Sequence, residues 1–128
     1  MKNAEVLRRR DLFRRVALEG TRLDAQILRC MYLIRQEGDE PLQVAFKVPS
    51  RKLNAVRRNR IKRLMREAFR KERSPLDSSL GASHSQMATF ISFKGSKNVS
   101  VEQLTLNDVQ QAMAVLCGKI ASNLEKRA

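Results

Sequence analysis

The chain has 128 residues, 42% of them apolar, and carries 26 Lys and Arg against 13 Asp and Glu, a formal net charge of +13 at neutral pH. That length suits one domain with a core of its own, and no apolar run nears the roughly 18 residues that cross a bilayer. With one His and no C-x-x-C pair a zinc site is not expected.

The first ten residues hold no apolar stretch of the signal-peptide kind, and a reducing cytoplasm is the expected location. Arg9 to Glu19 reads as a helix, with Leu12, Phe13, Val16 and Ala17 on one stripe and Gly20 placed to end it. Arg8, Arg9, Arg10, Arg14 and Arg15 crowd its start and its polar side, where a helix amino end already favours anions.

Ala25 to Arg35 is β-rich. Leu28, Cys30, Tyr32 and Ile34 fall on one parity and Ile27, Met31 and Leu33 on the other, so burial on both faces is expected. The run Glu37-Gly38-Asp39-Glu40-Pro41 reads as a turn into a strand over Leu42 to Val48, and the two strands read as a hairpin. A short extra strand is expected near Arg22 to Asp24.

Asn54 is the expected N-cap of a long helix from Ala55 to about Glu72, which stops before Ser74-Pro75. With Ile61 set at 0° on a helical wheel, Leu64, Met65, Ala68 and Phe69 lie within about 80° of it, and Asn59, Lys62, Arg63, Arg66 and Arg70 fall between about 100° and 200°. One face is set to dock on a sheet and the other is a cationic ridge. Ser74 to Gln86 is Ser-rich and reads as a mobile loop carrying His84 as a solvated residue. Met87 to Lys94 is the next strand, followed by a turn at Gly95-Ser96-Lys97-Asn98. A capping pattern at Thr105 to Asp108 opens a last helix striped by Val109, Met113, Leu116, Ile120 and Leu124. Cys30 and Cys117, flanked by apolar residues and too few for a disulfide framework, are expected as packed thiols.

These elements make an α+β domain over residues 1–128, one mixed sheet of about four strands with three helices in the order αβββαβα. Its charge is local. Residues 1–15 hold six basic and two acidic side chains, and residues 51–73 hold eleven and two, which together account for the whole excess. Two basic patches on a near-neutral body point to a polyanion, with nucleic acid ahead of an anionic membrane because the apolar residues are claimed by the core.

Within Arg51 to Arg70, the string Arg58-Asn59-Arg60-Ile61-Lys62-Arg63, continued by Leu64, Arg66, Glu67, Ala68 and Phe69, resembles the signature of the bacterial ribonuclease P protein subunit. Asp11-Leu12-Phe13 with Val16 and Gly20-Thr21 is similar to the family's first helix and the turn after it, and element order and length agree across nearly the whole chain. The resemblance implies a cytoplasmic protein, monomeric and present as one copy per RNA. It would bind a catalytic RNA subunit and precursor tRNA and assist removal of the 5′ leader, with Mg²⁺ bound mainly by the RNA and no protein-bound cofactor. It also implies a left-handed βαβ crossover around the signature helix, where sequence pattern alone predicts a right-handed one.

Carried over, the RNA-subunit face is Arg51, Arg58, Asn59, Arg60, Lys62, Arg63 and Arg66. The leader cleft is Phe13, Tyr32 and Lys47 with Arg9 and Arg10, aromatic faces beside cations being the chemistry that holds single strands. The chain departs from the family pattern at Leu53, where a glycine is common, and at Ala17, where a second aromatic is common. Phe13 lies in the apolar stripe of its helix, so core burial and cleft exposure are both open to it. Tyr32 changes face with a one-residue slip of register.

Two other functions fit the charge. A protein nuclease needs a general base and clustered carboxylates for metal, but Glu37, Asp39 and Glu40 share a turn beside Pro41, and no expected strand or helix presents a carboxylate pair with a His. A ribosomal or DNA-associated basic protein shares the charge but not the signature. No catalytic protein residue is expected.

Overall fold

A computed structural model describes residues 2–35, 41–49, 53–95 and 100–127, with side chains described from Arg10 to Lys126. In chain order the elements are α1 (Lys2–Glu19), β1 (Thr21–Ala25), β2 (Leu28–Arg35), β3 (Leu42–Lys47), α2 (Ala55–Glu72), α3 (Ser74–Ser83), β4 (Gln86–Phe93), a 3₁₀ turn (Val101–Gln103) and α4 (Leu106–Arg127). The expected turns at Glu37 to Glu40 and at Ser96 to Asn98 lie outside the described residues.

The strands form one mixed sheet in the order β1-β2-β4-β3. The extra strand near Arg22 is real, and it makes the hairpin: β1 pairs antiparallel with β2, Ala25 opposite Leu28, across a tight turn in which Gln26 has φ 55°. The hairpin expected between the second and third strands does not form. β4 enters between them, antiparallel to β2 and parallel to β3. The reason is burial, since Met87, Ala88, Thr89, Phe90 and Ile91 are all buried, and a strand apolar on both parities is stable only in the middle of a sheet. α2 and α3 then form the crossover that a parallel β3–β4 pair requires.

The two faces of the sheet bury different partners. On one, Leu28, Cys30, Tyr32, Met87, Ile91 and Phe93 join Ile61, Met65 and Phe69 of α2, Leu76 and Leu80 of α3, and Val109, Met113, Leu116 and Ile120 of α4 in the main core. On the other, Leu12 and Val16 of α1 press on Ala88 and Phe90, with Phe13, Met31, Leu33 and Ala45 at the edge. Each such Leu, Ile or Phe contributes about 1.5–3 kcal/mol of burial. α1 reaches the sheet through a close approach at Gly20, where a Cβ would stand 2.4 Å from the Val16 carbonyl oxygen and 2.7 Å from that of Tyr32, so no larger residue fits there.

Residues 74–83, expected as part of a loop, are helical. Pro75 stands in the first turn, where its missing N–H costs nothing. Asp77, also in that turn, accepts from Arg73 Nε at 2.8 Å. Leu76 and Leu80, one turn apart, are buried against α4. His84 is exposed as expected, but it ends this helix in a left-handed conformation, φ 52°. The chain thus has four helices among the described residues where three were expected. α1 also starts earlier than expected, at Lys2. The two predicted caps form: Asn54 Oδ1 accepts from Arg57 N at 2.9 Å, and Thr105 and Asp108 bond reciprocally at 2.9 and 3.2 Å.

Candidate nucleic-acid interface

Helix α2 buries Ile61, Met65, Ala68 and Phe69 against the sheet and α4, and this fixes what its opposite side presents. Asn59, Arg63, Arg66 and Arg70 are exposed, Lys62 and Arg58 half-buried on the flanks. Asn59, Arg63, Arg66 and Arg70 follow one another at helical spacing, so they make a single row. Its last member is compensated, since Arg70 pairs with Glu67 and holds that carboxyl below its usual range through the side-chain hydrogen bond. Lys62, Arg63 and Arg66 have no ion-pair partner among the described residues, which leaves the first three turns of the helix strongly positive. Arg51 lies outside the described residues.

Arg60 does something else. Its guanidinium donates to the carbonyl oxygens of Val101, at 3.0 Å, and Leu104, and Arg57 beside it pairs with Glu102. The signature's third residue is therefore turned toward the protein, where it ties the start of α2 to the 3₁₀ turn that leads into α4. This corrects its place on the RNA-subunit face: the wheel puts it between the apolar and cationic sides, and it is drawn in by the Leu104 carbonyl and by that of Val101, which also accepts from Leu104 N at 3.3 Å.

On the other face of the sheet a groove of about 650 Å³ runs between α1 and β3–β4, lined by Arg10, Phe13, Arg14, Ala17, Ala45, Lys47 and Phe90. Phe13 and Phe90 stack with ring centroids 4.9 Å apart at a 32° tilt, and the Lys47 ammonium stands 4.3 Å from the centroid of the Phe90 ring. Phe13 is half-buried, so it is both a prop of the smaller core and a wall of the groove. Ala17, where the family pattern has an aromatic, leaves the groove open on that side. The Arg9 side chain lies outside the described residues.

Tyr32 is not in this groove, which corrects the expectation. It faces the main core at 5% exposure, and its hydroxyl accepts a hydrogen bond from Asn123 Nδ2 of α4 at 3.1 Å. Its neighbours Met31 and Leu33 carry the parity that faces α1, so the register lies one residue away from the cleft reading. The aromatic on the cleft side is Phe90 of β4. Sequence reasoning missed it because QMATFISF is apolar on both parities and nothing in it assigns a face. Arg14, one turn beyond Arg10, was visible in the basic cluster of α1.

Cys30 and Cys117 are free and buried, and burial pushes both thiols up to about 12. Among the described residues no three of His, Cys, Asp and Glu gather into a metal-ligand cluster, and no helix is long and apolar enough to cross a membrane.

Comparison with known proteins follows the same line. A family model described as Ribonuclease P matches residues 1–120. Among solved structures, a ribonuclease P protein from Thermotoga maritima, crystallised with 1-(4-fluorophenyl)-2-thiourea, is similar at 23% identity with a TM-score of 0.61, covering 85% of this chain and 92% of that one. One from Staphylococcus aureus is similar at 22% identity and a TM-score of 0.58, covering 85% and 87%. Comparison with curated protein sequences gives no match.

Proposed function

The chain belongs to the ribonuclease P protein family, and from that premise we propose that α2 holds the catalytic RNA subunit while the α1 groove holds the single-stranded 5′ leader of precursor tRNA. The observation that carries this reading is the division of labour on α2: Ile61, Met65, Ala68 and Phe69 anchor one side in the core, and Asn59, Lys62, Arg63 and Arg66 leave the other as an unneutralised row. A rigid line of cations on a helix releases counterions from a phosphate backbone and fixes its path. The exposed polar residues of the family signature, Asn59, Arg63 and Arg66, fall in that row, while its Ile61, Ala68 and Phe69 are the buried anchor.

The groove supports the leader assignment in a different chemistry. Phe13 and Phe90 offer ring faces to an unpaired base, and Arg10, Arg14 and Lys47 offer donors to the phosphates beside it. Mature tRNA lacks the leader, so contacts in the groove favour substrate over product. The protein contributes affinity and screening of phosphate repulsion, as a monomer bound one to one with the RNA. Mg²⁺ held by the RNA subunit would supply the activated water for hydrolysis, and no residue of this chain is assigned to hold it.

The test is the salt dependence of binding. Replacing Lys62 and Arg66 together by Ala shrinks the magnitude of the slope of log K against log salt, for the chain binding a bacterial ribonuclease P RNA, by about 1.5. An unchanged slope removes both residues from the interface.

A further inference from the structure

The groove floor does not end at Phe90. Two residues along β4 stands Ser92, on the same side of the sheet, and its register partners are Arg29 on β2 and Lys47 on β3. Strand spacing places these three side chains in one row about 10 Å wide, and the row lies about 6.6 Å beyond the row of Met31, Phe90 and Ala45. Lys47 leans over the Phe90 ring and so joins the two rows.

Arg29 is built into this place. Its Nε donates to Asp24 Oδ1 at 2.8 Å, and Asp24 is also approached by Arg22 at 3.4 Å. The bond orients the guanidinium through Nε, and among the described residues no acceptor takes its Nη groups. The side chain keeps 41% exposure. Two arginines about one aspartate leave the cluster positive, so the carboxylate does not turn an anion away. An oriented Arg with a free fork, a hydroxyl and a Lys in line are donors without a matching acceptor, the arrangement that suits a phosphate group.

We propose that the Arg29–Ser92–Lys47 row is a phosphate subsite for the leader, taking the backbone next to the base that stacks against the Phe13–Phe90 pair. It rests on the leader reading of the groove and extends it across the sheet to β2. The leader then crosses the strands, passing from the aromatic floor onto the cationic row.

The experiment compares the holoenzyme reconstituted with ribonuclease P RNA for binding of precursor tRNA and mature tRNA over a salt series. Arg29→Ala weakens precursor binding about tenfold, the loss of one charge-assisted bond, and reduces the salt slope by about 0.7, one single-strand phosphate contact. Mature tRNA binding is unmoved, and Arg29→Lys keeps the wild-type slope. If Arg29→Ala leaves precursor binding and slope unchanged while Phe13→Ala still weakens precursor binding, the subsite is overturned and the groove stands. If Phe13→Ala is also without effect, the groove reading falls and the subsite with it. Equal losses for both tRNAs also overturn it, assigning Arg29 to the fold or to the RNA-subunit contact.

Discussion

Phe13 carries two roles in one ring, propping the small core against Phe90 and walling the groove. Phe13→Ala weakens precursor tRNA binding by about 1–3 kcal/mol, the range for one stacked base, measured by titration with the holoenzyme. An equal loss for mature tRNA reports a folding defect instead. Tyr32 and Phe90 show why single residues were only partly legible. Alternation orders side chains relative to one another along a strand, but which face meets α1 and which meets α4 depends on pairing partners far away in sequence, Thr89 for Tyr32 and Met31 for Phe90. Lys47 and Phe13 do line one groove, and both were legible on a face because a polar end to an alternating strand and a stripe on a short helix are local signals. The buried thiols give a pH prediction. Their raised values mean the folded state disfavours the thiolate, so their contribution to stability is intact below the unfolded value of 9.0 and is lost as pH rises from there to about 12. A thiol probe at pH 8 therefore leaves Cys30 and Cys117 unmodified in the folded chain and labels both after denaturation.

At the scale of elements, α2 was the most legible because its boundaries, its cap and its two faces are all written in adjacent residues. Asn54, Ile61 to Phe69 and the stop at Ser74 needed no tertiary information. α3 was read as loop because serines and a proline are common in loops, and the weaker signal, Leu76 and Leu80 one turn apart with Pro75 in the first turn, gains meaning only when α4 is there to bury them. The sheet order was hidden for a related reason: β2 and β3 are close in sequence, but the long-range pairing of β4 between them lies beyond any local pattern. The join between α2 and α4 gives the prediction at this scale. Arg60 bonds two carbonyls of the segment 101–104, so Arg60→Ala lowers the thermal midpoint by about 2–8 °C for each kcal/mol lost, with about 1–3 kcal/mol expected because the Leu104 carbonyl loses its Arg60 donor while that of Val101 keeps Leu104 N. The same variant leaves the salt slope of RNA binding unchanged, in contrast to Lys62 and Arg66. A fall in slope would return Arg60 to the RNA face.

Across the whole molecule, most of the excess charge sits on two helices that pack on opposite faces of one sheet. Arg10 and Arg14 of α1 line the groove, and α2 presents Arg63 and Arg66 on an exposed ridge. Composition already pointed to a polyanion, and the signature in α2 to a family. The separation of the two sites, with Lys47 at the end of β3 only seven residues before the cap at Asn54, emerged from the topology. The most direct test of the account is to add the chain to a bacterial ribonuclease P RNA at Mg²⁺ too low for the RNA to act alone. The account predicts restored removal of the precursor tRNA leader, diminished when Lys62 and Arg66 are replaced by Ala, and no cleavage by the chain without RNA. Failure to restore cleavage, or cleavage by the purified chain that survives ribonuclease treatment of the preparation, would contradict it.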